Sequence, residues 1–417
     1  MTKSDFFFLL VLASIPIQLG KFFWPNFAFV LGIPIDYRAI IIYLIDFIIL
    51  GYLFFFLIEI FLSKKISLRN FKKIYKEYKY FLTVVLLLNL YLVFNALFVS
   101  QSPGISYWLT LRFFILSLFG LFASMTFSKV NLYKSIPLVI GFSIIWQSIL
   151  IFLQFVFQKS LGLWFLGERS FDSSTIGIAH AQIFGRQLLR PYGTFPHPNV
   201  AAAYLLISLI IFKAIMVSHQ RFSKPKILTT LISLAAILLT YSKAAYFATI
   251  FFALFLLKRA KTFILGIFLL TFLVWIFLRL LPESQFASIA ERLVLLQAAI
   301  NITLLNPLFG VGSGDFIAAL AKFNLFSIGE IRLLQPVHNV FFLILAENGL
   351  LGLFLFLFLL LVILKKADSP VKIALFVVIL VFATFDHFLW TLQQGRLLFW
   401  IAAAYILSNP KIPVIKD

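Results

Sequence analysis

The chain has 417 residues, of which 62% are hydrophobic and 12% charged, against roughly 45–50% and about 25% in an average soluble domain. An excess of that size excludes a water-soluble fold and dissolves most of the chain in lipid. The formal charge of +20 would point to nucleic acid in a soluble protein, but in a membrane protein it follows from basic residues collecting on the cytoplasmic side.

Long continuous apolar runs such as 341–364 argue against a β-barrel, whose strands alternate apolar and polar over about 10 residues. A spanning helix needs roughly 20 apolar residues. Such spans are predicted at 5–22, 39–62, 80–99, 105–127, 135–157, 197–217, 227–241, 244–257, 262–281, 339–364, 371–386 and 393–408. The first is read as a membrane helix and not a removed signal, because 21–34 holds no small-residue cleavage site. Basic loops at 63–79, 129–134, 221–226, 258–261 and 365–372 then fall on one side with both termini, and the positive-inside rule makes that side the cytoplasm. The expected fold class is an all-α polytopic membrane protein, a bundle of about 12 transmembrane helices. It forms a single integral membrane domain over 1–417.

Segments 158–196 and 282–338 are too long for turns and are expected as extracytoplasmic loops, the larger one between helices 9 and 10. Within it Phe286, Ile289, Leu293, Leu296 and Ile300 recur at helical spacing. They predict an amphipathic helix, on the membrane surface or packed in the loop, with loop packing the simpler reason for the stripe.

The residues suited to chemistry gather at predicted outer helix ends. Arg186 and the string 190–199, which holds Arg190, His197 and Asn199, lead into the sixth helix. Tyr241, Ser242 and Lys243 form the turn before the eighth helix, and His338 and Asn339 open the tenth. Between them lie Arg292 and the stretch 306–314. Three helix N-termini, each with unpaired N–H groups and a positive dipole end, plus Arg and Lys, make an anion site. A phosphate or diphosphate is its natural guest.

Plainer readings stand beside these. His338 fits a cap of the tenth helix, His197 a structural part of its turn, and Arg190 an interfacial anchor. His219, in a basic inner loop, reads as solvated. Arg112 and Glu347 fall inside spans, where ionisable groups mark pathways or buried pairs. Glu347 is about half a turn out of phase with His338 and reads as a buried structural partner. Gly310, Gly312 and Gly314 form a tight loop, since no strand precedes them. Asp386 and His387, taken with His197, His338 and Asp315, match no metal-ligand spacing, so neither metal nor other cofactor is expected.

The string Arg-x-x-Gly-Thr-Phe-x-His-Pro-Asn at 190–199 resembles the signature of the O-antigen ligase and polymerase family of bacterial membrane glycosyltransferases. So do Tyr-Ser-Lys at 241–243, Asn-Pro-Leu-Phe-Gly-Val-Gly at 306–312, and His-Asn followed by Glu-Asn-Gly-Leu-Leu-Gly over 338–352. One departure is Lys243, where the family usually carries Arg; charge is kept but the planar fork is lost. The resemblance implies transfer of a glycan from a polyprenyl (undecaprenyl) diphosphate to an acceptor hydroxyl on a glycan or lipid, as a ligase or a polymerase. It implies no metal and no nucleic acid, and an active site on the extracytoplasmic face of the cytoplasmic membrane. By motif match His338 is the general base, and Arg190, Arg292 and Lys243 contact the diphosphate, with Arg186 an addition. His197, Asn199, Asp386 and His387 are accessory candidates. The rival expectation is a transporter or flippase of lipid-linked glycans, but repeated halves and midplane-interrupted helices are not seen in the sequence.

Overall fold

The computed structural model describes residues 1–62, 68–183, 185–216, 224–256, 283–322 and 333–409. The predicted ninth span at 262–281, the basic segment 258–261, residues 323–332 of the large loop and His219 lie outside them. The helices run α1 (Lys3–Ser14), α2 (Leu44–Leu62), α3 (Leu68–Phe98), α4 (Pro103–Phe127), α5 (Ser135–Phe157), α6 (Pro198–Met216), α7 (Lys224–Leu239) and α8 (Lys243–Leu256). They continue with α9 (Glu283–Leu305), α10 (Phe316–Lys322), α11 (Val340–Leu364), α12 (Pro370–Phe385), α13 (Phe388–Thr391) and α14 (Gln393–Leu407). Among the described residues six helices are long and apolar enough to cross a membrane: Leu44–Leu62, Tyr75–Phe98, Pro103–Phe127, Val130–Phe157, Pro198–Met216 and Val340–Leu364. Lys226–Leu239, Lys243–Phe255 and Pro370–Phe385 are shorter apolar helices. The chain is a mostly helical membrane protein.

The expected first span at 5–22 is not one helix. It stops at Ser14, two residues before Pro16, which cannot donate to a continuing ladder. The chain then returns as β1 (Gly20–Phe23), paired antiparallel with β4 (Ile40–Tyr43). The β-branched run Ile40-Ile41-Ile42 favours a strand, so the second span also begins later than expected, at Leu44. Two smaller hairpins join β2 (Phe29–Val30) to β3 (Ile33–Pro34) and β5 (His180–Ile183) to β6 (Arg186–Leu189).

Helices α6 and α14 form the centre. Every residue from 198 to 212 is buried, as is every one from 397 to 408. Ala201, Ala202 and Ala203, with Ala402, Ala403 and Ala404, are fully buried, and small side chains let backbones approach closely where lipid offers no hydrophobic drive. Helix α14 packs on α4, α6 and α12. At the periphery Phe47, Leu50, Phe54 and Phe61 of α2 are exposed, a surface suited to hydrocarbon.

Buried charges act as pins, as expected of Arg112. Its Nη1 lies 2.7 Å from Asp46 Oδ2, and Nη2 also donates to Gln393. Arg38 pairs with Asp315 at 3.0 Å and donates to Phe27 O and Ser102 Oγ. Asp315 also accepts from Ser100 Oγ. This network ties the N-terminal loop, the α3–α4 turn and the segment before α10 into one unit. An uncompensated charge in its place would be costly.

The stretch 306–312 is backbone-paired to a kink in α11. Val311 N donates to Ala346 O and Gly312 N to Glu347 O, while Leu350 N donates to Pro307 O. At the kink Gly349 has φ +63°, and a Cβ there would lie 2.3 Å from Leu308 C and O. Only glycine allows that approach. The tight loop expected at Gly310, Gly312 and Gly314 is present, all three with positive φ. Helix α9 packs on α11 through Leu295, Ala298, Ala299 and Ile302, which are buried. Of the expected stripe, Leu296 packs with them, Ile289 and Leu293 are exposed, and Phe286 lies outside the described side chains.

Candidate functional site

Most of the predicted residues fall into one cluster, built largely on helix ends. The string 190–195 is held by two glutamines of α5. Gln154 Oε1 accepts from Tyr192 N and Gly193 N at 2.9 and 2.8 Å, and Gln147 Nε2 donates to Thr194 Oγ1 at 2.8 Å. Gly193 has φ +59°, and a Cβ would stand 2.4 Å from Gln147 Oε1. That turn presents Arg190, whose Nε donates to Thr240 O and Nη2 to Asn199 Oδ1, each at 2.8 Å. Asn199, in the first turn of α6, donates through Nδ2 to Asp386 Oδ2 at 2.8 Å. Asp386 caps the end of α12, and its Oδ1 accepts from His387 N at 2.7 Å.

His338 faces this carboxylate. Its Nδ1 stands 3.7 Å from Asp386 Oδ1, and among the described residues it has no hydrogen-bond partner. The His338 and His387 rings lie 5.1 Å apart between centroids. The cap of α11 is Asn339, whose Oδ1 accepts from Phe341 N and Phe342 N, so His338 is spared that task. His197 accepts from Asn199 N through Nδ1 at 3.1 Å, a bond at the start of α6.

Electrostatics separates His197 and His387 from the carboxylate. Burial alone would raise the Asp386 carboxyl, but the imidazoles of His338, His387 and His197 outweigh it and hold the group well below the usual range. Burial, reinforced by the charge of Arg190, lowers His197 to about 3. Burial likewise lowers His387 to about 3, despite Asp386. The cluster therefore holds one carboxylate beside neutral His197 and His387.

The cations sit on one flank. Arg292, on α9, donates from Nη1 to Phe385 O at 3.3 Å. Lys243 opens α8, close enough to Arg190 and Arg292 for their charges to act on it. Three mutually repelling cations beside the starts of α6, α8 and α11 are an arrangement that could attract a polyanion. Arg186 is not brought in: it is exposed on β6, and no contact to the cluster is seen among the described residues. Asp315 is also elsewhere, paired with Arg38.

His338, Asp386 and His387 each offer a ligand atom within 4.8 Å of the others. That set could supply three ligands and an open position, a grouping other than the one considered from spacing. Sequence reasoning missed Tyr37, whose ring centroid is 5.3 Å from that of His387, and Thr391, whose Oγ1 is 2.7 Å from His387 Nδ1. No local signal connects Tyr37 to the cluster, since its loop is placed by the Arg38–Asp315 pair.

Among curated proteins no match is found. Residues 228–357 match the family model described as O-antigen ligase, a segment that contains Lys243, Arg292 and His338, and over that segment the chain is similar to that family.

Proposed function

We propose that the protein transfers a glycan from a polyprenyl diphosphate to an acceptor hydroxyl, with His338 as general base. The observation that carries this reading is the pairing of two chemically opposite halves in one cluster. A half-buried imidazole faces a carboxylate at 3.7 Å, and Arg190, bonded to Asn199, begins a cationic flank that continues to Lys243 and Arg292. The acceptor O–H gives its proton to His338 as its oxygen bonds to the anomeric carbon. The anomeric carbon–phosphate oxygen bond breaks, and its electron pair leaves on the diphosphate. Arg190, Arg292 and Lys243 meet the charge that grows there, which is where fixed charge accelerates a reaction. Asp386 stabilises the imidazolium that forms, as the third member of a triad does. Asn199 holds Asp386 and Arg190 in register by bonding to both.

No metal is needed in this scheme, although His338, Asp386 and His387 are the residues that would take one. The membrane arrangement we propose has about 12 spans, both termini in the cytoplasm, and the cluster on the extracytoplasmic face of the cytoplasmic membrane. Its support is that, with those spans, the basic loops would share one side while the cations of the cluster would lie at the other ends of the helices.

Reconstitution with a synthetic polyprenyl-diphosphate glycan and candidate acceptors tests the reading, with product mass as the readout and EDTA as a parallel arm. A new glycosidic bond and free polyprenyl diphosphate, in the presence of EDTA, are expected. Activity lost to EDTA and restored by one divalent ion would move His338 from base to ligand.

A further inference from the structure

A second flank of the cluster is a cavity of ≈ 420 Å³, within the roughly 300–1,000 Å³ of small-molecule sites. It is lined by Tyr37, next to Pro196 and Thr391. Tyr37 packs edge-on against His387, and Thr391 bonds to the same ring. Arg190, Lys243 and Arg292 do not line it. The cluster is thus reached from the cations through Asn199 and Phe385, and from the cavity through Tyr37 and Thr391.

The walls combine two kinds of surface. Trp108, Trp164, Tyr43 and Tyr37 supply aromatic faces, and Gln394 and Arg396 line the same space. Aromatic faces take the C–H surface of a pyranose while amides and guanidinium groups bond its hydroxyls. Gln394 is 1% exposed, and its Nε2 has no hydrogen-bond partner among the described residues. A buried donor left unpaired is costly, and a ligand acceptor would satisfy it.

Charge sharpens the choice of ligand. Arg112 is compensated by Asp46. The Glu168 carboxylate is engaged by Leu161 N, Leu163 N and Gln154 Nε2. Neither Arg396, whose Nε donates to Trp390 O at 2.6 Å, nor the exposed Arg169 forms an ion pair among the described residues, and the two outnumber Asp36, the other lining carboxylate, which is exposed. A guanidinium facing a cavity without a carboxylate partner binds a planar or tetrahedral oxyanion in preference to a neutral group.

We propose that this cavity is the acceptor-saccharide site and that it selects a sugar bearing an acidic group, a carboxylate or a phosphate ester, through Arg396. The proposal rests on the transferase reading, because it takes the cavity's approach to His387 as the route by which the acceptor hydroxyl meets His338.

The test is binding of matched short oligosaccharides to the protein in nanodiscs, followed by tryptophan fluorescence. One is neutral, one carries a uronate and one a phosphate monoester. At least one acidic saccharide should bind about tenfold or more tightly than the neutral one, the scale of a charge-assisted hydrogen bond. Which acid wins identifies the source of the charge. Arg396→Gln should close the gap, Arg396→Lys should keep part of it, and Trp164→Ala should weaken all three. Equal binding of acidic and neutral saccharides by the native protein, or no saturable binding, overturns the proposal without need of a variant. Donor cleavage is measured in the same samples. If the native protein breaks the donor's sugar–phosphate bond but ignores the acidic group, only this proposal fails. If it never breaks that bond, the transferase reading fails.

Discussion

Asp386→Asn isolates the charge beside the proposed base while keeping its shape. When His338 accepts a proton, an imidazolium forms 3.7 Å from Asp386 Oδ1. A unit pair about 4 Å apart at an effective dielectric of about 20 is worth about 4 kcal/mol. The carboxylate is 7% exposed, so water screens it little, but Arg190 and Arg292 offset part of its field. A loss of about 3–4 kcal/mol from the barrier side corresponds to about 10²–10³ in rate. The isostere also carries a structural cost. Oδ1 accepts from His387 N and Oδ2 from Asn199 Nδ2, so the new amide NH₂ must face a donor whichever way it turns. One buried mismatch costs about 1–3 kcal/mol of stability. The assay is single-turnover transfer in nanodiscs at saturating donor, beside thermal unfolding of the same preparation. The expected result is a lowered melting temperature with a folded fraction that transfers about 10²–10³-fold more slowly. Native turnover in the folded variant would refute the dyad and return Asp386 to a helix cap.

Arg190→Ala should slow transfer by about 10²–10³, and Arg190→Lys should recover little, because the side chain bonds Thr240 O and Asn199 Oδ1 through two different nitrogens; a near-native rate in folded Arg190→Ala would make it a structural anchor. Gly349→Ala should destabilise by about 2–4 kcal/mol, since the added Cβ meets backbone atoms 2.3 Å away at a left-handed φ; an unchanged melting curve would remove the kink from the account. Acid should destabilise the fold through His387. The His387 imidazole is near 3 when folded and about 6.5 when unfolded, so below about 6.5 the unfolded chain binds a proton that the folded one refuses. Its contribution is present above about pH 6.5 and is lost on the way down to 3, by up to about 1.4 kcal/mol per pH unit. His387→Gln should flatten that slope, and a melting temperature constant between pH 7 and 5 would contradict it.

The helices α4 to α8, α11, α12 and α14 were legible because their ends carry chemistry that sequence displays. Pro103 stands at the start of α4 and Ser369 with Pro370 at the start of α12. Pro198 opens α6. The N-terminal segment was not legible in the same way, because Ile40-Ile41-Ile42 is apolar enough for a span and β-branched enough for a strand. Its partner, β1, decided between them. The same division holds at the site. Arg190, Lys243 and His338 announce themselves as basic residues at helix ends, and the structure gathers them beside Asp386 with Arg292, which comes from within α9. Tyr37 does not, because Arg38, its neighbour, is fixed by a residue 277 positions away. The motifs at 306–312 and 347–349 show why residue type alone misleads: their backbones bond to each other. Their part is to set α9, and with it Arg292, against α11.

The most direct measurement of the central claim is donor bond cleavage by the native protein and by His338→Gln in the same vesicles. A glutamine keeps hydrogen-bonding capacity but takes no proton near neutral pH. The cap of α11 is Asn339, so the variant should fold. The account predicts that the native protein converts the lipid-linked glycan into a new glycosidic product, and that the variant binds donor yet forms product about 10²–10⁴-fold more slowly. A fully active variant, or a native protein that carries the glycan lipid across the bilayer with its sugar–phosphate bond intact, would contradict it.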